Sequence, residues 1–355
     1  MAMEVGNAKT KGLCETMCPR QEIMLRTREK LVHPFELTLD RSDKYPGRLG
    51  ADEATMVKEF SRPAAGRADT EPRNLRPAPV LKKTVTYLYE TIIPKEHPAW
   101  NNVYDFVFDR LRAVRQDMVI QGIVGVDAIE LLEKIVRFHL YAAYRLQDTT
   151  LSEFDPVINK QHLLECLKRL LYLYQVTPGK HEHRVEMESV YLLDNLGDVH
   201  AMTHYLHLDP ALRKSPLLFQ CYRISDAYVQ RNYVRALRLI WKLPCAMCLC
   251  AVSRHLHSLH INFLQILSSA YSVKNCRFPV HYLTLLLYTD SEKETNDLCM
   301  QCGLIDMFDN TSQEYICFNK ASFHIPKELK QTPSRIAILD KMLQTSDISY
   351  LLLGK

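Results

Sequence analysis

The sequence is poor in glycine, with 11 in 355 residues, and none falls into a phosphate-cradling pattern. There is no Gly-x-Gly-x-x-Gly, no Gly-x4-Gly-Lys-Ser/Thr and no Gly-x-Ser-x-Gly. Turns that aim backbone N–H groups at a phosphate or an oxyanion therefore have no candidate. Carboxylates are scattered over helical stretches, where they pair with Lys or Arg on solvated faces. The chain reads as a non-enzyme without a cofactor. Long apolar runs are also missing. The most apolar stretches, at 283–287 and 351–353, fall far short of the roughly 18 residues that cross a bilayer. Residues 1–12 are polar and lack the apolar core of a secretory leader. The cysteine count is 11, an odd number, so the expectation is free thiols in a reducing cytosolic or nuclear setting. Charge of one sign is not in excess either. Lys and Arg total 45 against 41 acids, a net +4 that by itself implies no nucleic acid.

What is present is helical periodicity. Hydrophobic residues make up 47% and charged residues 24%, enough apolar material for a sizeable core. Pro19 opens a helix expected over Arg20–Val32, which Pro34 stops. Residues 44–79 are dense in Pro and Gly and read as extended chain over a surface, with one short helix at Asp52–Phe60. From Val80 onward, apolar residues recur at helical spacing. Leu81, Val85, Leu88 and Ile92 start the series. Helices are expected at Val103–Gln121, Asp127–Leu146, Gln161–Gln175, Glu186–Leu196, Val199–Leu208, Pro216–Arg231, Tyr233–Leu243 and Ala246–Tyr271. Helix after helix with short connections and no strict period predicts an all-α fold, an irregular α-solenoid of helix pairs. The last part differs: two helices, Val280–Leu287 and Ser291–Cys302, precede short β-type runs at Tyr315–Phe318 and Phe323–Ile325. That order suggests a C-terminal winged-helix unit. The expected organisation is an N-terminal segment 1–80, a helical array 81–275, a winged unit 276–332 and a tail 333–355.

The metal-type spacings are weak. Cys245-Ala-Met-Cys248 and Cys299-Met-Gln-Cys302 lie about fifty residues apart, too far for a zinc ribbon, and sit in apolar helical stretches. Buried thiols are the favoured reading. Cys14 and Cys18 have no evident further ligands. His200, His204 and His207 share a helix face, and His255, His257 and His260 form a second group. No His-Glu-x-x-His occurs, and no metal is expected.

Local charge is more informative. Between Arg213 and Lys242 lie Arg213, Lys214, Arg223, Arg231, Arg235, Arg238 and Lys242 against the single acid Asp226. Tyr222, Tyr228, Tyr233 and Trp241 are interleaved. Lys320, Lys327 and Lys330 add charge near the expected wing. Arg223, Arg231, Arg235, Arg238, Lys242, Lys320, Lys327 and Lys330 are the candidate RNA-binding residues, through salt-sensitive phosphate contacts. A solvated face or a dock for an acidic partner gives the same pattern.

Three stretches carry a resemblance. The first is Gly12-Leu-Cys-Glu-Thr-Met-Cys18-Pro19-Arg-Gln-Glu22, with Arg26 and Phe35-Glu36. The second is Val57-Lys58-Glu-Phe-Ser-Arg62-Pro-Ala-Ala-Gly66, followed by Leu75-Arg76-Pro77-Ala-Pro79-Val-Leu81. The third is Val103-Tyr-Asp105-Phe-Val-Phe-Asp109-Arg110-Leu-Arg112-Ala-Val-Arg115-Gln116-Asp117. In this order they resemble the Sac-three/GANP family, over roughly residues 10–330. The resemblance implies a TPR- or PCI-like helical array capped by a winged helix. It also implies docking of a PCI-domain protein and a small acidic Sem-type subunit, and RNA bound on a basic surface in mRNA export at the nuclear pore. The chain looks more like the short, domain-only vertebrate members than the longer ones. That implies a scaffold of the centrosome and spindle, acting in centrosome duplication and mitotic progression beside centrosomal or spindle proteins; an mRNA-export subunit in the nucleus is the alternative. The motif residues Cys18, Pro19, Glu22, Arg62, Arg76, Pro77, Asp109, Arg110, Arg112, Arg115 and Asp117 read as structural or docking positions. Arg110, Arg112 and Arg115 are expected to pair with Asp105, Asp109 and Asp117 along one helix, or to clamp the strap Arg76–Pro79.

Overall fold

The computed structural model describes residues 10–39, 49–62, 71–95, 97, 99–273, 276–308, 314–326 and 335–355. By packing, the chain divides into two compact units, Met1–His139 with Gln161–Lys180 and Asp347–Lys355, and Leu140–Lys160 with His181–Ser346. The fold is all-α: sixteen α-helices and five short strands lie among the described residues. None of the helices is long and apolar enough to cross a membrane.

In the first unit, extended chain leads into α1 (Arg20–Arg28), a 3-10 turn at Pro34–Glu36, and the strands β1 (Leu37–Leu39) and β2 (Leu49–Ala51). A second 3-10 turn, Pro72–Asn74, precedes α2 (Ala78–Tyr87), which a π-helical turn, Leu88–Ile92, prolongs. The long helices α3 (Trp100–Ile120), α4 (Gly125–Arg145) and α5 (Pro156–Val176) follow. Their apolar positions recur every three or four residues, so each buries one stripe. In α3 that stripe is Val103, Val107, Leu111, Val114 and Met118. Tyr104, Phe138 and Tyr89 stack in series, and the Tyr89 hydroxyl donates to the Lys134 carbonyl at 2.9 Å, so a buried polar tip is satisfied.

The second unit contains α6 (Arg184–Asp194), α7 (Val199–His207), α8 (Pro210–Arg213), α9 (Pro216–Val229), α10 (Tyr233–Ile240), α11 (Ala246–Ser253) and α12 (Leu256–Ala270). After these come β3 (Phe278–Pro279), α13 (Val280–Leu287), α14 (Glu292–Gln301), β4 (Ile305–Phe308), β5 (Glu314–Cys317) and α15 (Ala337–Thr345). Helix α6 packs on α9 and α11, α9 on α10, and α10 on α12 and α13. The three strands form one antiparallel sheet in the order β3-β5-β4. The final helix, α16 (Ile348–Leu353), belongs to the first unit, where the Ser349 hydroxyl donates to the Tyr89 carbonyl at 2.8 Å.

Several local expectations change. Helix α1 stops at Arg28 rather than Val32, because Lys30 takes the left-handed conformation at φ 57°. Leu31 N–H then closes on the Arg26 carbonyl at 2.8 Å, a Schellman-type stop made without glycine. Asp52–Phe60 forms no helix. Turns at 53–55 lead into extended chain, whose Met56 and Val57 are fully buried. The stretch Ala246–Tyr271 is two helices, broken at Arg254–His255. The C-terminal hairpin is β4 with β5, and Phe323–Ile325 forms no strand. The expected tail 333–355 contains two helices, Ala337–Thr345 and Ile348–Leu353.

Candidate functional site

Two constellations stand out, one in each unit. The first joins the three motif stretches. The irregular segments 12–18, 56–62 and 72–77, the last opening with the 3-10 turn, lie side by side without forming a regular ladder. Leu13 N–H donates to the Pro72 carbonyl at 2.7 Å, Cys14 N–H to the Leu75 carbonyl at 3.0 Å, and Lys58 N–H to the Met17 carbonyl at 3.0 Å. Gly12 lies so close to the strap that a Cβ would sit 2.4 Å from the Leu75 carbonyl oxygen.

Helix α3 supplies the charges that hold these segments. Asp117, fully buried, accepts from Lys58 Nζ at 2.8 Å and from Arg76 Nε at 2.7 Å. Arg76 is itself fully buried and also donates to the Met17 carbonyl at 3.1 Å. Glu36 is buried at the end of its 3-10 turn and receives four donors. Its Oε1 takes Val57 N–H at 2.9 Å and Arg110 at 3.3 Å; its Oε2 takes His33 N–H at 3.2 Å and Arg26. Glu59 bridges the same two arginines, at 3.2 Å to Arg26 and 2.9 Å to Arg110. Burial opposes the charge on Arg26, yet Glu36 and Glu59 outweigh it and raise its pKa. The Glu36 and Asp117 carboxylates are met by donors on both oxygens, whereas Arg26 Nε, Arg76 Nη2 and Arg110 Nε are buried with no hydrogen-bond partner among the described residues.

The remaining motif residues have distinct places. Cys18 is buried, and burial with the nearby Glu22 carboxylate pushes its thiol pKa far up, so it is inert. Pro19 caps α1, and Pro77 precedes α2 as its N-cap. Glu22 accepts Glu59 N–H at 2.8 Å. Asp109 accepts Phe60 N–H at 3.2 Å and pairs with Arg110 at 2.7 Å. Arg112 lies over the Phe60 ring, 3.8 Å from its centroid. Arg115 reaches Glu165 at 2.8 Å and His162 at 2.6 Å on α5. Arg62 is exposed. The α3 arginines therefore reach outward to other elements; only the adjacent Asp109–Arg110 pair forms within the helix. The strap is clamped by the carboxylate of Asp117, not by an arginine. Glu36 and Glu59, the hubs, carried no spacing signal, since each sits in irregular chain and finds its partners only through tertiary packing.

The second constellation is a cationic stripe on α10. Tyr233, Ala236, Leu237 and Ile240 form its buried face, at steps of three, one and three residues. Arg235 and Arg238, three residues apart, lie on the opposite face; Arg231, left-handed at φ 56°, precedes the helix and Lys242 follows it. The Asn232 side chain caps the helix, accepting Arg235 N–H at 3.1 Å. Among the described residues, none of the four cations makes an ion pair. Arg223 is half-buried on α9 beside Phe219. Lys320 is exposed in the turn after β5; Lys327 and Lys330 lie outside the described residues. The interleaved aromatics are spent on packing. Tyr222 stacks on Tyr205 at 4.3 Å, Tyr228 meets buried Tyr233 edge-on at 6.0 Å, and Trp241 meets Tyr288, the C-cap of α13, at 5.0 Å. Of these rings Tyr233 is buried, and Tyr222, Tyr228 and Trp241 are half-buried against a neighbouring ring.

The His and Cys groups with metal-type spacing find separate partners. His204 pairs with Glu188 at 2.7 Å, His207 with the Thr203 carbonyl at 2.8 Å, and His255 with the Asp194 carbonyl at 3.0 Å. All eleven cysteines are free thiols. Among the described residues no cluster of three or more His, Cys, Asp or Glu is placed to hold a metal ion.

Comparison with known proteins adds an independent observation. The family description "SAC3/GANP family" matches residues 17–306. The chain is 28% identical over 314 residues to Protein xmas of Drosophila melanogaster, covering 83% of this chain and 14% of that protein. It is 27% identical over 335 residues to SAC3 family protein 1 of Schizosaccharomyces pombe, covering 88% of this chain and 32% of the relative. For SAC3 family protein B of Arabidopsis thaliana the identity is 24% over 348 residues, covering 93% and 20%. The chain therefore spans less than a third of the length of each of these relatives.

Proposed function

Since the chain belongs to the SAC3/GANP family, we propose that it is a non-enzymatic scaffold of the mRNA-export type that docks a PCI-domain protein with its small acidic subunit and holds RNA on the α10 stripe. The observation that carries this reading is the stripe itself: two cations on the outer face of α10 and one at each flank, none with an acidic partner among the described residues. Unpaired, aligned cations gain most from a polyanion, because each phosphate contact releases condensed counterions. Helices α13 and α14 with the sheet β3-β5-β4 support a winged-helix reading of the C-terminal part, beside which α10 packs. The buried ionic network of α3 serves to pin the amino-terminal segments and provides rigidity for docking. Its place of action on this reading is the nucleus and the nuclear pore.

Affinity capture of the tagged chain from dividing cells, before and after RNase, tests this. A PCI-domain protein retained in both cases, with export factors partly lost on RNase, is the expected result. Centrosomal and spindle proteins retained regardless of RNase, without export factors, would replace it by the division-scaffold reading that the likeness to short family members implies. The stripe would then be a dock for an acidic protein.

A further inference from the structure

The seating of the second motif stretch on α3 leaves two arginines without a counter-charge. Phe60 N–H donates to Asp109 at 3.2 Å, and the Ser61 carbonyl accepts from Gln116 Nε2 at 2.8 Å. Positions 109, 112 and 116 are three and four residues apart and share one helix face, so residues 60 and 61 run along α3 past Arg112. Arg112, half-buried, lies over the Phe60 ring at 3.8 Å from its centroid, with the Phe108 ring at 5.8 Å. Arg62 follows two residues after Phe60 and is exposed.

The nearby acids are committed elsewhere. Asp109 takes Phe60 N–H and Arg110, Glu59 takes Arg26 and Arg110, and Glu165 takes Arg115. Asp105 is two turns from Arg112; burial alone raises its pKa, with no cation contributing. Among the described residues neither Arg62 nor Arg112 makes a hydrogen bond or an ion pair. Burial is the main force lowering the Arg112 pKa; Asp109 opposes it, and Arg62 and Arg115 add to it as like charges. Like charges gathered in this way gain from an anion. The stacking also prepares the geometry. An aromatic ring covers a face of the guanidinium and leaves its N–H rim open, and that rim is the edge that receives a phosphate in bidentate fashion.

We infer that Arg62 and Arg112 form an anchor for a backbone phosphate of RNA on the first unit, in addition to the α10 stripe of the second. The anchor rests on the RNA reading above and extends it to a motif stretch that otherwise serves to pin the chain. Unpaired cations occur in both units, and a polyanion gains counterion release at each set independently, which a single phosphorylated side chain does not. The contact fixes the strand without reading its sequence.

Anisotropy titrations of the 355-residue chain with a labelled oligouridine across a salt series test the anchor. One phosphate on a single strand contributes about 0.7 to the log–log slope, which is roughly fivefold in affinity at about 0.1 M salt. Arg62→Gln combined with Arg112→Gln should therefore flatten the slope by about 0.7 and weaken binding roughly fivefold at that salt. Arg62→Gln alone removes an exposed side chain without a contact among the described residues, so it should fold whatever the double variant does. It should weaken binding at least about twofold. Arg28→Gln, on an exposed arginine of α1 beside Glu29, is the control for net charge and should leave the slope unchanged. If the Arg62 variants match that control while Arg235→Glu with Arg238→Glu weakens binding, the anchor is wrong and the α10 reading stands. Weakening by the Arg62 variants with no effect of the α10 pair keeps the anchor and removes the stripe. A chain that binds no RNA, even one that takes a phosphoserine peptide at Arg62 and Arg112, overturns the anchor together with the reading it rests on.

Discussion

Replacing Glu36 by Gln should release the amino-terminal segments from the first unit. The carboxylate is fully buried and takes four donors, two on each oxygen. A carboxamide keeps the shape but offers one acceptor oxygen and one donor nitrogen. Whichever way it turns, either Val57 N–H and Arg110, or His33 N–H and Arg26, face another donor. The guanidiniums also lose a counter-charge in a dry site, where breaking one partner of a buried pair costs about 3–5 kcal/mol. Both arginines keep Glu59, and Arg110 keeps Asp109 at 2.7 Å. The loss should therefore fall near the lower end, about 3 kcal/mol, which is roughly a hundredfold in an opening equilibrium. Hydrogen exchange read by mass spectrometry is the assay. Amides in residues 12–36 and 55–60 should exchange about a hundredfold faster, with those in the middle of α3 changing less. The exposed Arg28–Glu29 contact is the control, and Arg28→Ala should leave exchange within about threefold. If Glu36→Gln also changes exchange by less than about threefold, the buried network does not hold the segments and the reasoning fails.

Other consequences are open to measurement. Gly12→Ala should push the strap away, since its Cβ would meet the Leu75 carbonyl; a cost of about 1–3 kcal/mol should appear as faster proteolysis within residues 12–18. His260 of α12 is half-buried against the Leu287 carbonyl, 2.9 Å away, and burial lowers its pKa to about 4. The folded chain resists a proton that the unfolded chain accepts near pH 6.5. Stability of the second unit is therefore full above that value and is lost as pH falls toward 4, by roughly 2 kcal/mol in denaturant titrations. His260→Gln should flatten that dependence. Asn232→Ala should cost about 1 kcal/mol of α10 stability through the lost cap, and weaken RNA binding less than charge reversal on the stripe does.

The helices were largely legible because their apolar residues recur at the helical period over many turns. Trp100–Ile120, Gly125–Arg145 and Tyr233–Ile240 each lie within a few residues of the range their periodicity predicts. Ends were harder. Lys30 stops α1 in a left-handed conformation that composition assigns to glycine, and the break at Arg254–His255 interrupts a stretch that stays apolar on both sides. Strands of two to four residues carry too little alternation to be told from loops, which hid β1, β2, β3 and β4. Arg235 and Arg238 of α10 could be read directly, since both faces of the helix lie in one short segment; the left-handed turn at Arg231 and the helix end before Lys242 could not. The α3 network could not. Its partners Glu36, Glu59, Lys58 and Arg76 come from three irregular segments, and tertiary contact alone gives them their roles. The tyrosines and Trp241 near the stripe show the converse limit: sequence placed them beside the cations, and packing turned them inward.

The most direct test of the functional account is the affinity of the purified chain for single-stranded RNA as salt is raised. Four stripe cations predict a log–log slope of about −3, from roughly −0.7 per phosphate neutralised on a single strand. Arg235→Glu combined with Arg238→Glu should shift that slope toward zero by at least about 1.4 and cut affinity at low salt. Binding that ignores salt, or that survives the double substitution with its slope unchanged, would contradict the claim that α10 carries the RNA.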